Sequence, residues 1–598
     1  MVRYATSDQI DDNDEAGRVL RPSPASEAWL KDVGAAWTAL IRHMESQPWG
    51  KRVIGWHACY GIYAEWHYFG SWTQQYPDVG PAMIKAFRAY LRARYGTDAK
   101  LQAAWHDPQA RLDTATVPGV EPRRNATLAS FRDPTTEQRV VDYYRCHQKV
   151  TADAIEHFGK LAKQATGGRA IYGIYYGYFM GVLPQTQGGH LELLRLLKSP
   201  AIDYFVAPYE YGHRLMGMDG RLRSLAYAFS LAGKAHIIEA DTRTHLHPRE
   251  EHGRVANLTE SLAALRREFS TALIEHTGYW YVDFGPDSVG GWFDHPQIMS
   301  TIKSLYGVAE RALAVPRRST AEVALVCDLD SAYYLADGEG MLTAYKLIMD
   351  TTTELYRTGA PFDEILLPQL AQADLSRYEV LIFLNTTAMS DEQAALVQRL
   401  RESGKHAMVF LWAPGYTGPD GVSLQRVQQA TGFQVAQTAM HASGRMAVTA
   451  TEDHLTRDLP AEEQSAIETT GSTPVSGFDV AANWSNPRSK VVMDDHYAQF
   501  DFRPAAQGLT WTFQTVDAWS DLHWAGQIAS ADGLGLDVRA TSGLPQLGLR
   551  VVIKDADMAE FASPAESLGK GEWRQLRYPF AAFTNAPWAK VRPAKPAF

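Results

Sequence analysis

The chain has 598 residues, which at roughly 100–200 residues per domain implies three or four domains, since single cores stop growing near ~250–300 residues. Hydrophobic residues make up 45% and charged residues 21%, an ordinary globular balance that excludes a disordered, collagen-like or low-complexity chain. With 58 Lys and Arg against 68 Asp and Glu the net charge is −10, so the basic footprint of a nucleic-acid binder is absent, and no uncharged apolar run approaches the ~20 residues that span a bilayer.

Residues 1–14 are acidic and polar with no apolar stretch of the signal-peptide kind. This predicts a cytoplasmic protein, on the condition that Met1 is the true start. Three cysteines (Cys59, Cys146 and Cys327) are too few and too widely spaced for a disulfide framework or a Cys-based zinc site, and they read as small buried hydrophobes. A helix is predicted over 26–45, with Ser26 as N-cap before the stripe Leu30, Val33, Trp37, Leu40, Ile41 and Met44. A short apolar run at 53–57 reads as a buried strand. A helix over 81–95 stops at Gly96, and Thr97 can cap another over 98–105.

Strands and helices then alternate. Helices are predicted over 137–166, 191–198, 259–274 and 296–314, with a helix or loop over 220–232. Strands are predicted over 170–178, 204–208, 234–239 and 278–284. Each strand is an apolar run of the kind buried on both faces of a parallel sheet. Polar and aromatic residues gather just after the strand ends (Glu65, Tyr178, Tyr209, Glu239 to Asp241, Asp283), where a (β/α)8 barrel carries its active site. Residues 317–435 read as a separate α/β unit, a small doubly wound sheet with strands over 322–328, 362–367, 379–385 and 407–411. Its helices fall over 343–356 and 391–403, the second capped by Asp391 and closed by Gly404, and no phosphate-binding glycine motif occurs. From 436 to 598 short alternating runs at 497–502, 509–515, 534–540, 547–552 and 573–578 predict a β-sandwich or jelly roll, after a linker-like stretch over 469–486.

The chain carries 16 Trp and 28 Tyr, many of them clustered. Examples are Trp56, Trp66, Tyr68, Trp72, the run over 172–178, and Tyr279 to Tyr281 with Trp292. Their flat apolar faces and polar tips suit sugars, and core packing is the plainer role. Two acids stand out by position. Glu65 follows the first strand and Glu239 ends the fourth, so both can face one barrel mouth. A retaining glycosidase needs two such carboxyl groups about 5–5.5 Å apart. A structural ion pair is the other role open to them.

The stretch Glu65-Trp66-His67-Tyr68-Phe69-Gly70, the following helix closing on Tyr95-Gly96-Thr97, and 101–105 together resemble glycoside hydrolase family 42 of clan A, β-galactosidases with a trimerisation domain. Residues 208–214, 233–244 and 290–294 look like that family's later barrel strands and loops, and 317–435 sits where it places a flavodoxin-like trimerisation domain. The resemblance covers roughly residues 20–435. It implies a retaining β-glycosidase with Glu65 as acid/base and Glu239 as nucleophile, acting on a terminal β-galactoside or related sugar, assembled as a homotrimer and needing no cofactor. Sugar contacts are then expected from Trp56, His57, Trp66, His67, Tyr176, Tyr209, Asp241, Arg243, Trp280 and Trp292, with a local ion pair as the alternative for Asp241 and Arg243. His57, His67, His236 and His245 lack metal-binding spacing and read as sugar or packing contacts. Residues 533–539 and 571–583 resemble jelly-roll carbohydrate-binding modules, where Trp511, Trp519 and Trp524 could stack on sugars.

Two departures modify the reading. The family has Asn before its acid/base, where it contacts the sugar 2-hydroxyl, and this chain has Ala64. Only five barrel strands are found, matching the family's fourth to eighth. The expectation is therefore a barrel domain over 1–316 without its opening strands, from a fragment or a start placed too late, with a completing partner chain as the third option. Over 436–598 the last domain reads as short of its closing strands. The competing functional readings are a catalytically impaired carbohydrate-binding protein and an assembly protein built on 317–435.

Overall fold

In a computed structural model, the chain is described over residues 20–435 except 73–74, 129, 183, 189, 249–251, 284–290, 317 and 338, and in short strand segments outside that span, at 9–10 and between 445 and 585. It divides into two compact units, residues 1–248 with 255–437 and residues 249–254 with 438–598.

The first unit opens with α1 (Glu27–Glu45), whose Ser26 cap accepts the Trp29 amide at 3.3 Å. Strand β1 (Gly55–Ala58) is followed by α2 (Pro81–Tyr95), α3 (Asp98–Trp105) and the long α4 (Pro134–Ala165). Helix α4 starts three residues earlier than expected, because the Asp133 side chain caps it and Pro134 takes the first helical position. Four more strands follow, β2 (Ile171–Tyr175), β3 (Tyr204–Pro208), β4 (Ala235–Ala240) and β5 (Gly278–Tyr281), with short helices between the earlier ones. Helix α5 (Leu258–Ile274) precedes β5 and α6 (Pro296–Leu313) follows it.

All four pairings are parallel and the strands lie in sequential order β1 to β5. This is the barrel-like arrangement expected, with five strands among the described residues. The two faces differ, however. The side toward the helices carries Tyr172, Ile174, Phe205 and Ile238, all fully buried. The concave side carries His57, Tyr175, Ile237 and Trp280, each only partly buried. The expectation of strands buried on both faces therefore holds for β3, which is buried at every position, while the concave sides of β1, β2, β4 and β5 stay partly open. The sheet is curled enough that His57 on β1 and Trp280 on β5 approach within 6.2 Å between ring centroids. Gly173 permits this packing, since a Cβ there would lie 2.1 Å from the Tyr204 ring.

The same unit contains a four-stranded parallel sheet of β6 (Val323–Cys327), β7 (Phe362–Leu366), β8 (Val380–Phe383) and β9 (Ala407–Phe410), in the order β9-β8-β6-β7. Helix α7 (Glu339–Thr358) connects β6 to β7, and α8 (Asp391–Ser403) connects β8 to β9. The cap of α8 is Ser390 and not Asp391. Its hydroxyl accepts the Gln393 amide, and the Gln393 side chain accepts the Ser390 amide in return, a full capping box. One hydrophobic core runs through both sheets, joining Trp29, Phe158, Ile174 and Phe205 to Leu325, Cys327, Leu366 and Ile382.

In the second unit the described segments include a five-stranded antiparallel sheet, ordered Ile467–Glu468, Thr510–Thr515, Ala498–Arg503, Gly533–Ser542 and Arg574–Pro579. The last strand alternates buried Leu576 and Tyr578 with exposed Arg577, the period-two pattern that predicted it. Trp519 and most of the stretch expected as a linker, 469–483 and 486, lie outside the described residues.

Candidate active site

Glu65 stands in a tight loop after β1. The loop folds back on itself through bridges between Tyr60 and Glu65 and between Ile62 and His67. Gly61, at φ +78°, is required there, because a Cβ would lie 2.0 Å from the His67 carbonyl oxygen. Tyr63, Ala64 and Trp66 also take positive φ values of 53°, 70° and 60°. Three non-glycine residues in left-handed backbone around one acid are a concentration of strain of the kind found at functional sites. Trp66 anchors the loop, donating from Nε1 to the Ala58 carbonyl at 3.0 Å. Asn adopts this backbone region more readily than Ala. Ala64→Asn is therefore expected to raise stability by about 1 kcal/mol in urea unfolding.

Glu239 reaches the concave side from the end of β4. The Tyr175 hydroxyl donates to its Oε2. Both carboxyls are nearly buried, at 8% exposure for Glu65 and 4% for Glu239. Burial pushes Glu65 up to about 8, the charges of Glu239 and Asp241 add to the effect, and Arg223 opposes it. Burial likewise raises Glu239 to about 7, helped by Asp241 and opposed by hydrogen bonds from Tyr175 and Trp280 and by Arg214. The two acids thus share one electrostatic environment, with Glu65 holding its proton to the higher pH.

Asp241 behaves differently. Although burial opposes its ionisation, the Arg214 and Arg243 guanidiniums hold its carboxyl well below the usual range. Arg214 pairs with it at 2.6 Å, Arg243 pairs with its other oxygen, and the Tyr211 hydroxyl donates to it at 2.8 Å. Tyr211 lies under the guanidiniums of Arg214 and Arg223, 4.0 and 4.7 Å from its ring centroid. Arg223 is itself paired with buried Glu210 at 3.2 Å.

The expected sugar contacts divide by strand face. His57 and Trp280 lie on the concave side with Tyr175, whose ring is 4.5 Å from His57, and burial lowers the His57 imidazole to about 4. Trp56, one residue earlier, turns to the helices and packs edge-on against Trp37. Tyr176 is fully buried in the helix-facing core, where its hydroxyl accepts the Glu192 amide. Tyr209 is buried with its hydroxyl donating to the Glu268 carbonyl, and Trp66 is taken up by the loop anchor. Trp292 is 2% exposed in a cluster with Leu265 and Ile298, capped by Arg243 at 4.6 Å. His67 is buried behind Glu65. His236 stacks on Phe229 on the helix side, and His245 bonds Ser261. Asp241 and Arg243 form the ion pair that was their alternative role.

Sequence reasoning missed Tyr175, Arg214, Tyr211 and Arg223 around the acids. Tyr175 was within reach, because counting in twos along β2 separates Tyr175 from Tyr172 and Ile174. The arginines follow β3 in an irregular stretch with no periodic signal. Among the described residues no group of three or more His, Cys, Asp or Glu is placed to hold a metal ion, and no helix is long and apolar enough to cross a membrane.

The site is thus a parallel, barrel-like sheet with one buried acid in the loop after its first strand and another at the end of its fourth. No family model matches the sequence, and no curated protein does. Among solved structures the chain is similar to a β-galactosidase from the psychrophilic Marinomonas ef1, with 14% identity over 71% of this chain and 66% of that one, at a TM-score of 0.47. It is similar also to a catalytic mutant of a GH42 β-galactosidase from G. stearothermophilus, with 11% identity over 94% of this chain and 84% of that one, at 0.48. A third is the exo-carrageenase GH42 from Bacteroides ovatus, with 9% identity over 93% of this chain and 70% of that one, at 0.43.

Proposed function

We propose that this chain is a retaining glycoside hydrolase that removes a terminal β-linked sugar, with β-galactosides as the first substrates to test. The observation that carries the reading is the pair Glu65 and Glu239, two buried acids of which Glu65, raised further by the charge of Glu239, keeps its proton to the higher pH. Such a split assigns roles. Glu239 ionises first and attacks the anomeric carbon, while protonated Glu65 gives its proton to the leaving oxygen. Glu65, now ionised, takes a proton from a water whose oxygen attacks the anomeric carbon, breaking its bond to Glu239, freeing the sugar and restoring both acids. The Tyr175 hydroxyl bonds Oε2 of Glu239 and Trp280 bonds the same carboxyl, which fixes the direction it faces. His57 and Trp280 offer a polar edge and an aromatic face beside it.

The reaction needs Glu239 ionised and Glu65 protonated. The kcat/KM profile is expected to be bell-shaped, with its maximum between about 7 and about 8. A maximum near pH 5 would remove this assignment. The direct test is a panel of nitrophenyl β-glycosides, followed by mass spectrometry of the Glu239 peptide after incubation with a 2-deoxy-2-fluoro glycosyl fluoride. A second reading, sugar binding without turnover, is favoured by Ala64 in place of the family's Asn. Retained binding with no hydrolysis of any glycoside would establish it. Residues 317–435 as a trimerisation domain, with the homotrimer measured by sedimentation, and 436–598 as a carbohydrate-binding jelly roll belong to the same proposal.

A further inference from the structure

Glu65 is backed by two histidines whose tautomers the hydrogen bonds fix. His190 Nδ1 accepts the Tyr178 amide at 3.3 Å, so its Nε2 carries the hydrogen and donates to the Glu65 carbonyl at 2.8 Å. His67 Nδ1 lies 2.6 Å from the Gly188 carbonyl, which can only accept, so the hydrogen is on Nδ1. The Nε2 of His67 then presents a lone pair, and the group in front of it is the Glu65 carboxyl, with Oε2 at 3.7 Å. The two imidazoles stack at 4.1 Å with 19° between their planes, and Trp72 and Tyr178 close the sides of His67 at 5.1 and 5.2 Å. His67 is fully buried, and Nε2 has no hydrogen-bond partner in this arrangement.

A lone pair facing an ionised carboxylate is repulsive. Facing a protonated carboxyl it is a hydrogen-bond acceptor. At 3.7 Å the two atoms stand just beyond hydrogen-bond distance, and catalytic hydrogen bonds are commonly long before substrate arrives. The geometry points to His67 as a positioning residue that accepts the Glu65 proton's hydrogen bond through Nε2, holding the acid in its protonated form and aimed at the leaving group. The inference rests on the reading of Glu65 as acid/base.

The surroundings keep the imidazole neutral. Burial lowers His67 to about 3, and Arg223 adds to this while the Gly188 bond opposes it. Burial holds His190 well below its ordinary value too. The other groups that face Glu65 are Tyr178 beside the strand β2 end, Tyr211 and Arg223 from the segment after β3, and Glu239 and Asp241 from the end of β4, with Tyr175 on β2. Of these Glu239 and Asp241 favour the protonated acid and Arg223 and Tyr178 the ionised one. None of them offers Glu65 a neutral nitrogen lone pair, so His67 is the group whose removal should act on the protonated form alone.

Two substitutions separate the role from mere packing. His67→Asn keeps an amide donor where Nδ1 meets Gly188 and deletes the acceptor at Nε2. His67→Gln places an amide near Nε2, where its carbonyl oxygen can accept. Carbon-13 NMR of glutamate-labelled protein, in a Glu239→Gln background, follows the Glu65 titration without turnover. In His67→Asn it is expected to fall by about one unit, and in His67→Gln to return toward the unsubstituted value. On an accepted sugar, His67→Asn should move the basic limb of kcat/KM down by the same amount. It should slow a poor alkoxide leaving group by about 10-fold or more and leave a dinitrophenyl leaving group almost unaffected, since the latter needs no proton. A Glu65 titration and basic limb identical in His67→Asn and the wild type would overturn the inference. A titration that shifts in a protein hydrolysing no glycoside would support it, while removing the glycosidase reading on which its catalytic meaning rests.

Discussion

Glu239→Gln is expected to lower kcat on an accepted aryl β-glycoside by about 10⁴-fold or more, because the amide cannot form the glycosyl ester. Substrate binding should survive, since the amide keeps the size of the acid and can still meet Tyr175. The same variant carries a stability signature of opposite sign to the loss of function. A folded-state value raised to about 7 means that the folded protein binds a proton more tightly than the unfolded chain. The associated stability is present below the unfolded value of about 4.3 and is lost as pH rises through 7. Glu65, raised to about 8, behaves alike. Urea unfolding of Glu239→Gln between pH 5 and 8 should therefore fall less steeply with pH than that of the wild type. An unchanged kcat would end the nucleophile assignment.

Asp241→Asn has the larger expected effect on folding. Asp241 is fully buried between Arg214 and Arg243, and Arg214 is itself almost completely enclosed. The amide removes the charge that Asp241 sets against two buried cations, and breaking a buried pair in this way typically costs about 3–5 kcal/mol. Urea or thermal unfolding at pH 7 measures it. The pH dependence runs opposite to that of the two raised acids. A depressed carboxylate contributes stability above its unfolded value, and that contribution disappears as the solution is acidified. Wild type and Asp241→Asn should therefore converge in stability at low pH. A difference of less than about 1 kcal/mol at pH 7 would show that the guanidiniums find other partners.

The strands that carry the acids were legible because parallel strands leave compact apolar runs, and each of the five begins within two residues of its expected place. What was not legible is which side of a strand faces which layer. Trp56 and His57 are adjacent and equally plausible as sugar contacts, yet one packs on Trp37 and the other meets Tyr175. Only the helix side's demand for apolar bulk separates them. The same one-residue step divides Tyr175 from Tyr176. Arg214, Arg223 and His190 reach the acids from irregular segments, through ion pairs and hydrogen bonds that no local pattern encodes. The cap of α8 fell one residue early because Ser390 and Asp391 are both good caps, and only the reciprocal bond with Gln393 chooses between them.

The core that runs from Trp29 through Ile174 to Leu325 and Leu366 sets how this protein can change over evolutionary time. Where a sheet owns its core, it can be lost, duplicated or exchanged as a cassette. Here the two parallel sheets share one cluster, while the other face of the α/β sheet packs a cluster of its own around Val326, Ile365, Leu381 and Val397. A chain divided at 316 would leave each part with apolar faces turned to water. The α/β layer is thus a load shared with the acid-bearing sheet, since Leu325 and Cys327 fall in the same cluster as Ile174 and Phe205 of its second and third strands.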